Sequence, residues 1–325
     1  MNAPHVVYKF GGTSVGTVPR FRTVIDILTR TAQAGRVVAI VSAQGKVTRR
    51  LSAGMEAFAT EPERRPEVVD ALVHDLRARH QAQAQAVLSP DGFDAYMAVA
   101  EERLAALRDV FARVDREGFT PAARDAVLAT GEQLSVPMVT VALRDAGCTA
   151  PFCDATALVV TDDTFGAATV DLAATTERVR TWYDGLASDA LPVVAGFIGA
   201  TPDGRTTTLG FEGSDYSAAL FARILNAGCL TRYTDVDGLY TADPDTDPSA
   251  ERLERLSMEE AFARTEAGRL GMHPQTLRPL AEAGIPMQVR SIDVPDGQGT
   301  QIVPTDQPNV SLTPPIGRTA PSSLP

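Results

Sequence analysis

The sequence uses lysine at only two positions, and both are suited to binding phosphate. Of its 30 basic residues only Lys9 and Lys46 are lysines, so 30 − 2 = 28 are arginines. Each lysine follows a predicted strand, in or beside a glycine turn. A lysine ammonium is a compact point charge that approaches phosphate oxygens closely, whereas a guanidinium is planar and larger. The pattern predicts two phosphate-binding lysines, with chance placement as the alternative.

The first glycine turn runs from Lys9 to Ser14 and reads KFGGTS. Gly11 and Gly12 directly after a strand allow the backbone to approach a ligand, and their amides can form an anion nest. The hydroxyls of Thr13 and Ser14 complete a predicted phosphate cradle. The spacing is neither that of a Walker A loop nor that of GxGxxG, so an ordinary strand-to-helix turn is the alternative.

A second turn, with Ser42, Lys46 and Thr48, follows the apolar run Val37–Val41. In open parallel sheets, ligands bind beyond the carboxyl ends of the strands. Because adjacent strands lie about 4.8 Å apart, we predict that both lysines face one crevice.

Two later turns also carry polar side chains. Phe211, Glu212, Ser214 and Asp215 lie in GFEGSD before a predicted helix, where Ser214 could simply be an N-cap. Thr234–Pro244 reads TDVDGLYTADP, a predicted strand running into an acidic loop that lacks EF-hand spacing. A solvated loop is the alternative there.

The elements that must position these turns alternate between strands and helices. A strand His5–Phe10, a helix from Pro19 and a buried strand Val37–Ser42 form a βαβ unit, which is typical of a parallel sheet. The segment 49–117 is predicted to be helical. Further predicted elements are strands at Ala150–Cys153, Leu158–Val160, Leu191–Ile198, Arg205–Leu209, Leu230–Val236, Met287–Arg290 and Thr300–Val303, and helices at Glu132–Ala146, Leu172–Leu186, Ser214–Ala227, Met258–Ala267 and Pro274–Ala283.

Composition excludes several classes of function. The chain has 325 residues, is 44% hydrophobic and carries a formal charge of −11, which argues against a nucleic-acid or anionic-membrane surface. Its three cysteines are odd in number and its four histidines are few, so disulfides and a His-rich metal site are not expected. The N-terminus shows no signal-peptide pattern. We expect a cytoplasmic protein that binds a small-molecule substrate, and a disordered Pro-rich tail over 304–325.

Together these motifs resemble the aspartokinases of the amino-acid kinase family. The similar stretches are KFGGTSVG near the N-terminus, ATGEQLS at Ala129–Ser135, TTTLG..GSDYSAAL at Thr206–Leu220, TDVDGLYTADP, and HPQTL…AGIPMQVRS at His273–Ser291. The resemblance covers residues from about 5 to 303. It implies a three-layer α/β sandwich in which an open, mostly parallel central sheet is flanked by helices, with a helical lid or subdomain over about 49–117.

The resemblance further implies ATP-dependent phosphorylation of the side-chain carboxylate of L-aspartate, giving an acyl phosphate. Its cofactors would be ATP and Mg²⁺, the metal bound mainly through the nucleotide phosphates and not by protein side chains. A homodimer is implied, with one catalytic domain over 1–303. Aspartokinases usually continue into C-terminal regulatory domains, which are not expected in this sequence of 325 residues. Lys9 and Asp215 would be catalytic, and Asp215 would orient the phosphate-binding cations. We also expect a catalytic role for Lys46, although the family pattern has a glycine at that position. The nucleotide side would comprise Gly11, Gly12, Thr13, Ser14, Thr234, Asp235 and Tyr240. The substrate side would comprise Ser42, Thr48, Glu132, Phe211, Glu212 and Ser214, with Glu132 facing the substrate amino group.

Four departures from the family pattern leave the activity open. Phe211 stands where an arginine is usual, Asp245 replaces another arginine, and Leu270 replaces a lysine beside Arg269, whereas Lys46 stands in place of a glycine. We hypothesise that Lys46 supplies the charge that Leu270 does not. Besides an aspartate kinase, the sequence is compatible with a kinase for another carboxylate and with a non-catalytic nucleotide-binding homologue.

Overall fold

The computed structural model describes residues 6–242, 244, 246–268, 270 and 272–305. Asp245, Arg269 and the predicted tail from residue 306 onward lie outside the described residues. Within them, eight strands form a mostly parallel sheet in the order β10-β12-β11-β7-β1-β2-β4-β3, and two strand pairs lie outside it. The strands are β1 Val6–Phe10, β2 Val37–Val41, β3 Phe152–Cys153, β4 Val193–Ala195, β5 Ile198–Ala200, β6 Thr206–Thr208, β7 Cys229–Thr234, β8 Leu239–Tyr240, β9 Arg252–Leu253, β10 Arg255–Ser257, β11 Met287–Ser291 and β12 Thr300–Val303.

The sheet confirms the predicted fold class. Its neighbouring strands all pair in parallel except β11 and β12, which are antiparallel. Every residue of β2 is buried, as expected for a parallel strand that is covered by helices on both faces. The helices are α1 Gly12–Val15, α2 Val18–Ala32, α3 Val47–Thr60, α4 Arg65–Val87, α5 Pro90–Glu117, α6 Pro121–Asp145, α7 Leu172–Asp184, α8 Gly213–Ile224, α9 Met258–Glu266 and α10 Pro274–Ala283, with short 3₁₀ turns at Pro62–Arg64 and Ala155–Ala157.

Alternation along β1 separates the core from the polar centre of the molecule. Tyr8 and Phe10 point to one face, where Phe10 stacks on Tyr233 of β7 with ring centroids 5.1 Å apart. Lys9 points to the other face, which α8 covers. The stacked rings of Phe10 and Tyr233 therefore lie on the face of the sheet opposite to the Lys9 ammonium group.

Helices α3, α4 and α5 occupy the segment that was predicted to be helical, and they pack on one another and on α6. Helix α6 begins at Pro121, well before the predicted start at Glu132, because the Thr120 hydroxyl caps it by accepting from the Ala123 amide. Among the described helices only α6 has the length and apolarity to span a membrane, but 83% of its apolar window is buried inside the protein. It is thus a core helix of this fold.

The predicted strand Leu191–Ile198 is wrong as one element. It divides into β4 of the main sheet and β5 of a hairpin with β6, because the chain turns at Gly196 and at Phe197, whose φ is +70°. A Cβ on Gly196 would lie 2.7 Å from the Ser214 Cβ. This close approach brings the end of β4 against the start of α8.

Three smaller expectations are also corrected. Ser214 is not the N-cap of α8, because Glu212 occupies that position in the left-handed conformation. The predicted strand Leu158–Val160 makes only one isolated bridge, from Val160 to Ala200, since the Val160 amide donates instead to the Thr175 hydroxyl. The short strands β8, β9 and β10 were not predicted at all.

Candidate active site

Two cations and one carboxylate meet at the carboxyl ends of β1 and β7. The Lys9 ammonium nitrogen lies 2.8 Å from Asp215 Oδ1, and Arg232 Nε lies 3.4 Å from the same oxygen. Parallel pairing places Lys9 directly opposite Arg232, and Asp215 enters from the first turn of α8. The group carries a net charge of +1 at neutral pH, so it can attract an anion while remaining partly neutralised.

Opposing effects act on the Asp215 carboxyl. Burial favours the neutral form and would raise its pKa, but the charges of Arg232 and Lys9 outweigh burial and lower the pKa below its ordinary value. Asp215 is therefore ionised at neutral pH and holds both cations in place. Sequence reasoning found Lys9 and Asp215 but missed Arg232, whose signal was a lone arginine within a strand that otherwise reads as buried.

The two glycine turns after β1 and β2 are in direct contact. A Cβ on Gly12 would lie 2.6 Å from the Ala43 carbonyl oxygen and 3.2 Å from the Gly45 amide nitrogen. Gly11 and Gly12 begin the short helix α1, while the Ser14 hydroxyl is fully buried and donates to the Tyr233 carbonyl. Ser14 thus fixes the loop to β7, whereas Thr13 is exposed.

The contact at Gly12 gives a testable prediction. Gly12→Ala should push the two turns apart, lower the free energy of unfolding by about 1–3 kcal/mol and reduce turnover. Gly185→Ala is the matched control, since Gly185 is exposed and a Cβ there would meet its nearest atom at 3.4 Å. Urea unfolding of both variants checks this; equal stability of the two would contradict the packing argument.

Glu132 is a buried acid in the middle of α6. Its Oε1 accepts from the Ala43 amide at 2.9 Å, and its Oε2 is buried without a hydrogen-bond partner. Burial raises the pKa of Glu132 to about 7, against the lowering effects of the Ala43 hydrogen bond and the Lys9 charge. A buried carboxylate with an unpartnered oxygen is suited to receiving a cationic group of a ligand.

All six residues predicted on the substrate side line one cavity of about 360 Å³, which we call the Glu132 cavity. The Ser42 hydroxyl donates to the Ser214 hydroxyl, with the two oxygens 2.8 Å apart. Glu212 Oε2 accepts from the His273 amide at 2.6 Å, and Phe211 is 80% exposed. The residues that line this cavity include the predicted set Ser42, Thr48, Glu132, Phe211, Glu212 and Ser214, together with Gly12 and Lys46.

A second cavity, of about 760 Å³, lies beside the end of β7 and is called here the Tyr240 cavity. Arg232, Thr234 and Tyr240 line it, as does Leu270. The Tyr240 hydroxyl donates to Asp237, while the exposed Asp235 accepts from the Thr234 hydroxyl. The structure therefore brings together two of the three predicted nucleotide-loop residues, and it places Asp235 outside the lining.

The hypothesis that Lys46 replaces the charge missing at Leu270 is not supported. Lys46 lines the Glu132 cavity and Leu270 lines the Tyr240 cavity, and the two linings share no residue. Lys9 is buried against Asp215, whereas Lys46 is exposed. The two lysines follow neighbouring strands, but Lys9 pairs with Asp215 whereas Lys46 lines the Glu132 cavity.

No three His, Cys, Asp or Glu side chains come together as metal ligands within the described part of the chain. Asp215, the buried carboxylate at the centre, already faces two cations. The donor set present therefore fits a divalent ion only if other ligands, such as phosphate oxygens, supply most of the coordination.

Comparison with known proteins decides the family. The model of the amino acid kinase family matches residues 4–291. The chain belongs to the amino acid kinase family. Lysine-sensitive aspartokinase 3 of Escherichia coli is 33% identical to this family member over 96% of the chain, and the aspartokinase of Schizosaccharomyces pombe is 31% identical over 95%. The resemblance to aspartokinases is thereby confirmed.

The fold of this amino acid kinase family member agrees with solved aspartokinases. It superposes on E. coli aspartokinase III, solved in complex with aspartate and ADP, with a TM-score of 0.81 and 32% identity, covering 92% of the chain and 64% of that structure. The chain spans 66% and 61% of the lengths of the two curated relatives, just under two thirds at most.

Proposed function

We propose that this protein transfers the γ-phosphoryl group of ATP to the side-chain carboxylate of L-aspartate, forming 4-phospho-L-aspartate. The observation that carries the proposal is the Lys9–Asp215–Arg232 group near the carboxyl ends of the central strands β1 and β7. The Glu132 cavity and the Tyr240 cavity lie beside it. A cationic centre flanked by two cavities is what transfer between two small molecules requires. The E. coli relative solved with aspartate and ADP supports this choice of ligands.

The roles of the side chains follow from their charges. Glu132 would bind the substrate ammonium through its unpartnered Oε2. Lys9 and Arg232 would bind oxygens of the transferring phosphoryl group, and Asp215 would hold both cations at the correct distance. The attacking aspartate carboxylate is ionised at neutral pH, so no general base is needed. Mg²⁺, when bound, would neutralise phosphate charge and would be carried mainly by the nucleotide.

The nucleotide would occupy the Tyr240 cavity, whose walls include Thr234 and Tyr240. The amides of Gly11 and Gly12 would lie near its phosphates, with Thr13 and Ser14 shaping that loop. We infer a catalytic domain over 1–303 that includes the helices of 49–117, acting in the cytoplasm as a homodimer. The product would enter aspartate-family amino-acid biosynthesis, which leads to lysine and threonine.

The direct experiment measures ADP release from ATP and Mg²⁺ with L-aspartate, and traps the acyl phosphate with hydroxylamine. Aspartate-dependent ADP release with formation of the hydroxamate is the expected result. L-Glutamate and succinate are tested in parallel, because the exposed Phe211 in the substrate cavity favours a second candidate, a kinase for another carboxylate. Preference for one of these would replace the aspartate assignment, and ATP binding without turnover would favour the non-catalytic homologue.

A further inference from the structure

The Glu132 cavity has an unequal distribution of charge along its wall. Its lining contains two acids, Glu132 and Glu212, and a single cation, Lys46. Glu212 is already engaged, since its Oε2 accepts from the His273 amide. Glu132 has an unpartnered buried oxygen. The cavity therefore offers one negative and one positive side chain to a ligand.

The backbone conformation at Lys46 is one that glycine adopts more easily than lysine. Lys46 has φ +70° and lies at the N-cap of α3, in the left-handed region that glycine adopts without penalty. Within the described part of the chain, the Lys46 ammonium group makes no hydrogen bond or ion pair. A strained residue with an uncommitted charge at the mouth of a cavity is a candidate for ligand binding.

We propose that Lys46 binds the α-carboxylate of the amino-acid substrate, while Glu132 binds its α-ammonium. This assignment rests on the proposed function. An α-amino acid carries an ammonium group and a carboxylate on the same carbon. A cavity that recognises both groups needs an anionic and a cationic side chain, and Lys46 is the cation in this lining. Phe211, which also lines the cavity, supplies no charge. Lys46 is thus a specificity-determining residue for substrate and not a ligand of the nucleotide phosphates.

The test compares Lys46→Gln with Arg49→Gln. Both variants remove one positive charge from the start of α3, but Arg49 is exposed and does not line the cavity. We expect Lys46→Gln to raise the KM for aspartate by about 10- to 100-fold, the effect of losing a charge-assisted hydrogen bond, with kcat retained. Arg49→Gln should leave both constants within about twofold, as a surface charge does.

A substrate analogue tests which group Lys46 contacts. 3-Aminopropanoate is aspartate without its α-carboxylate, and it is measured both as a substrate and as a competitive inhibitor against aspartate. Its inhibition constant should be the same in wild type and in Lys46→Gln, because it lacks the group that Lys46 binds. Equal weakening of aspartate and of 3-aminopropanoate would overturn the proposal.

Two further outcomes are decisive. Phe211→Arg in the Lys46→Gln background should recover part of the aspartate affinity, because it supplies another cation in the same lining. Lys46→Gly should melt at a higher temperature than wild type and should have the same high KM as Lys46→Gln. A lower kcat with unchanged KM in Lys46→Gln would place Lys46 at the phosphoryl group and overturn the assignment. Absence of aspartate turnover in wild type would instead refute the proposed function itself.

Discussion

Lys9→Ala is expected to lower kcat by about 10²- to 10³-fold or more, the usual effect of removing one preorganised charge-stabilising donor. Lys9 is the cation closest to Asp215, at 2.8 Å, and it lies where β1 ends beside Gly11. Arg232 is not expected to compensate, because its planar guanidinium extends from the neighbouring strand β7 and does not replace the compact ammonium group of Lys9. Steady-state ADP release at saturating ATP and aspartate measures the effect.

The same substitution should also destabilise the fold. Removing one partner of a buried ion pair costs about 3–5 kcal/mol when the other charge is left uncompensated. Because Arg232 remains 3.4 Å from Asp215, the cost of Lys9→Ala should be lower than this. The variant Lys9→Met keeps the apolar bulk of the side chain and the pair of Asp215 with Arg232, so it should recover part of the stability without recovering activity. Arg20→Ala, which breaks the more exposed pair with Asp293, is the control and should change the free energy of unfolding by under about 1 kcal/mol. Wild-type turnover in Lys9→Ala would exclude Lys9 from the mechanism.

Glu132→Gln should stabilise the protein while abolishing productive aspartate binding. The wild-type carboxyl is fully buried with one unpartnered oxygen, so its ionised form is costly in the native state. Glutamine keeps the acceptor for the Ala43 amide but carries no charge. The KM for aspartate should rise by about two orders of magnitude or more, as for loss of a buried charge pair.

The effect of Glu132 on stability should depend on pH. Its pKa of about 7 in the folded protein exceeds the ordinary value of 4.5, so between these values the native state binds more protons than the unfolded chain. Stability from this group is present below pH 4.5 and is lost as the pH rises through 7. The melting temperature of Glu132→Gln should therefore exceed that of wild type by an amount that grows from pH 5 to pH 8. A constant difference would contradict the raised pKa.

The KM of wild type for aspartate should also depend on the protonation of Glu132. Below pH 7 the protonated Glu132 cannot hold the substrate ammonium, so the KM for aspartate should rise as the pH falls, while the KM for ATP should not follow it.

The sequence predicted those strands and helices whose ends are marked by a glycine, a proline or an apolar run within a few residues. The glycines after β1, Pro19 in α2 and the apolar run of β2 each fix a boundary through backbone sterics or burial. The break at Phe197 was missed because the residue with φ +70° is a phenylalanine and not a glycine, so its residue type does not mark the turn. Likewise, Ser214 is an ordinary N-cap by its type, yet Glu212 takes that position because its carboxylate is tied to the His273 amide.

The sequence predicted several residues of the candidate site but not how they are arranged in space. Lys9, Asp215 and Glu132 stand out by charge among apolar neighbours or by motif. Arg232 does not, because its importance comes from the register of β7 against β1, which no local spacing encodes. Nor does local spacing show that Lys46 and Leu270 line different cavities.

The pairing of β1 with β7 has a consequence for how the molecule is made. The hydrogen bond from Ser14 to Tyr233 joins residues 219 positions apart, and Lys9 meets Asp215 and Arg232 across a similar stretch of chain. Contacts of such long range are slow to form because a large loop must close first. During synthesis, Lys9 leaves the ribosome well before its partners Asp215 in α8 and Arg232 in β7. This charged group is therefore assembled late, so stalled or truncated chains would carry the Glu132 helix without it.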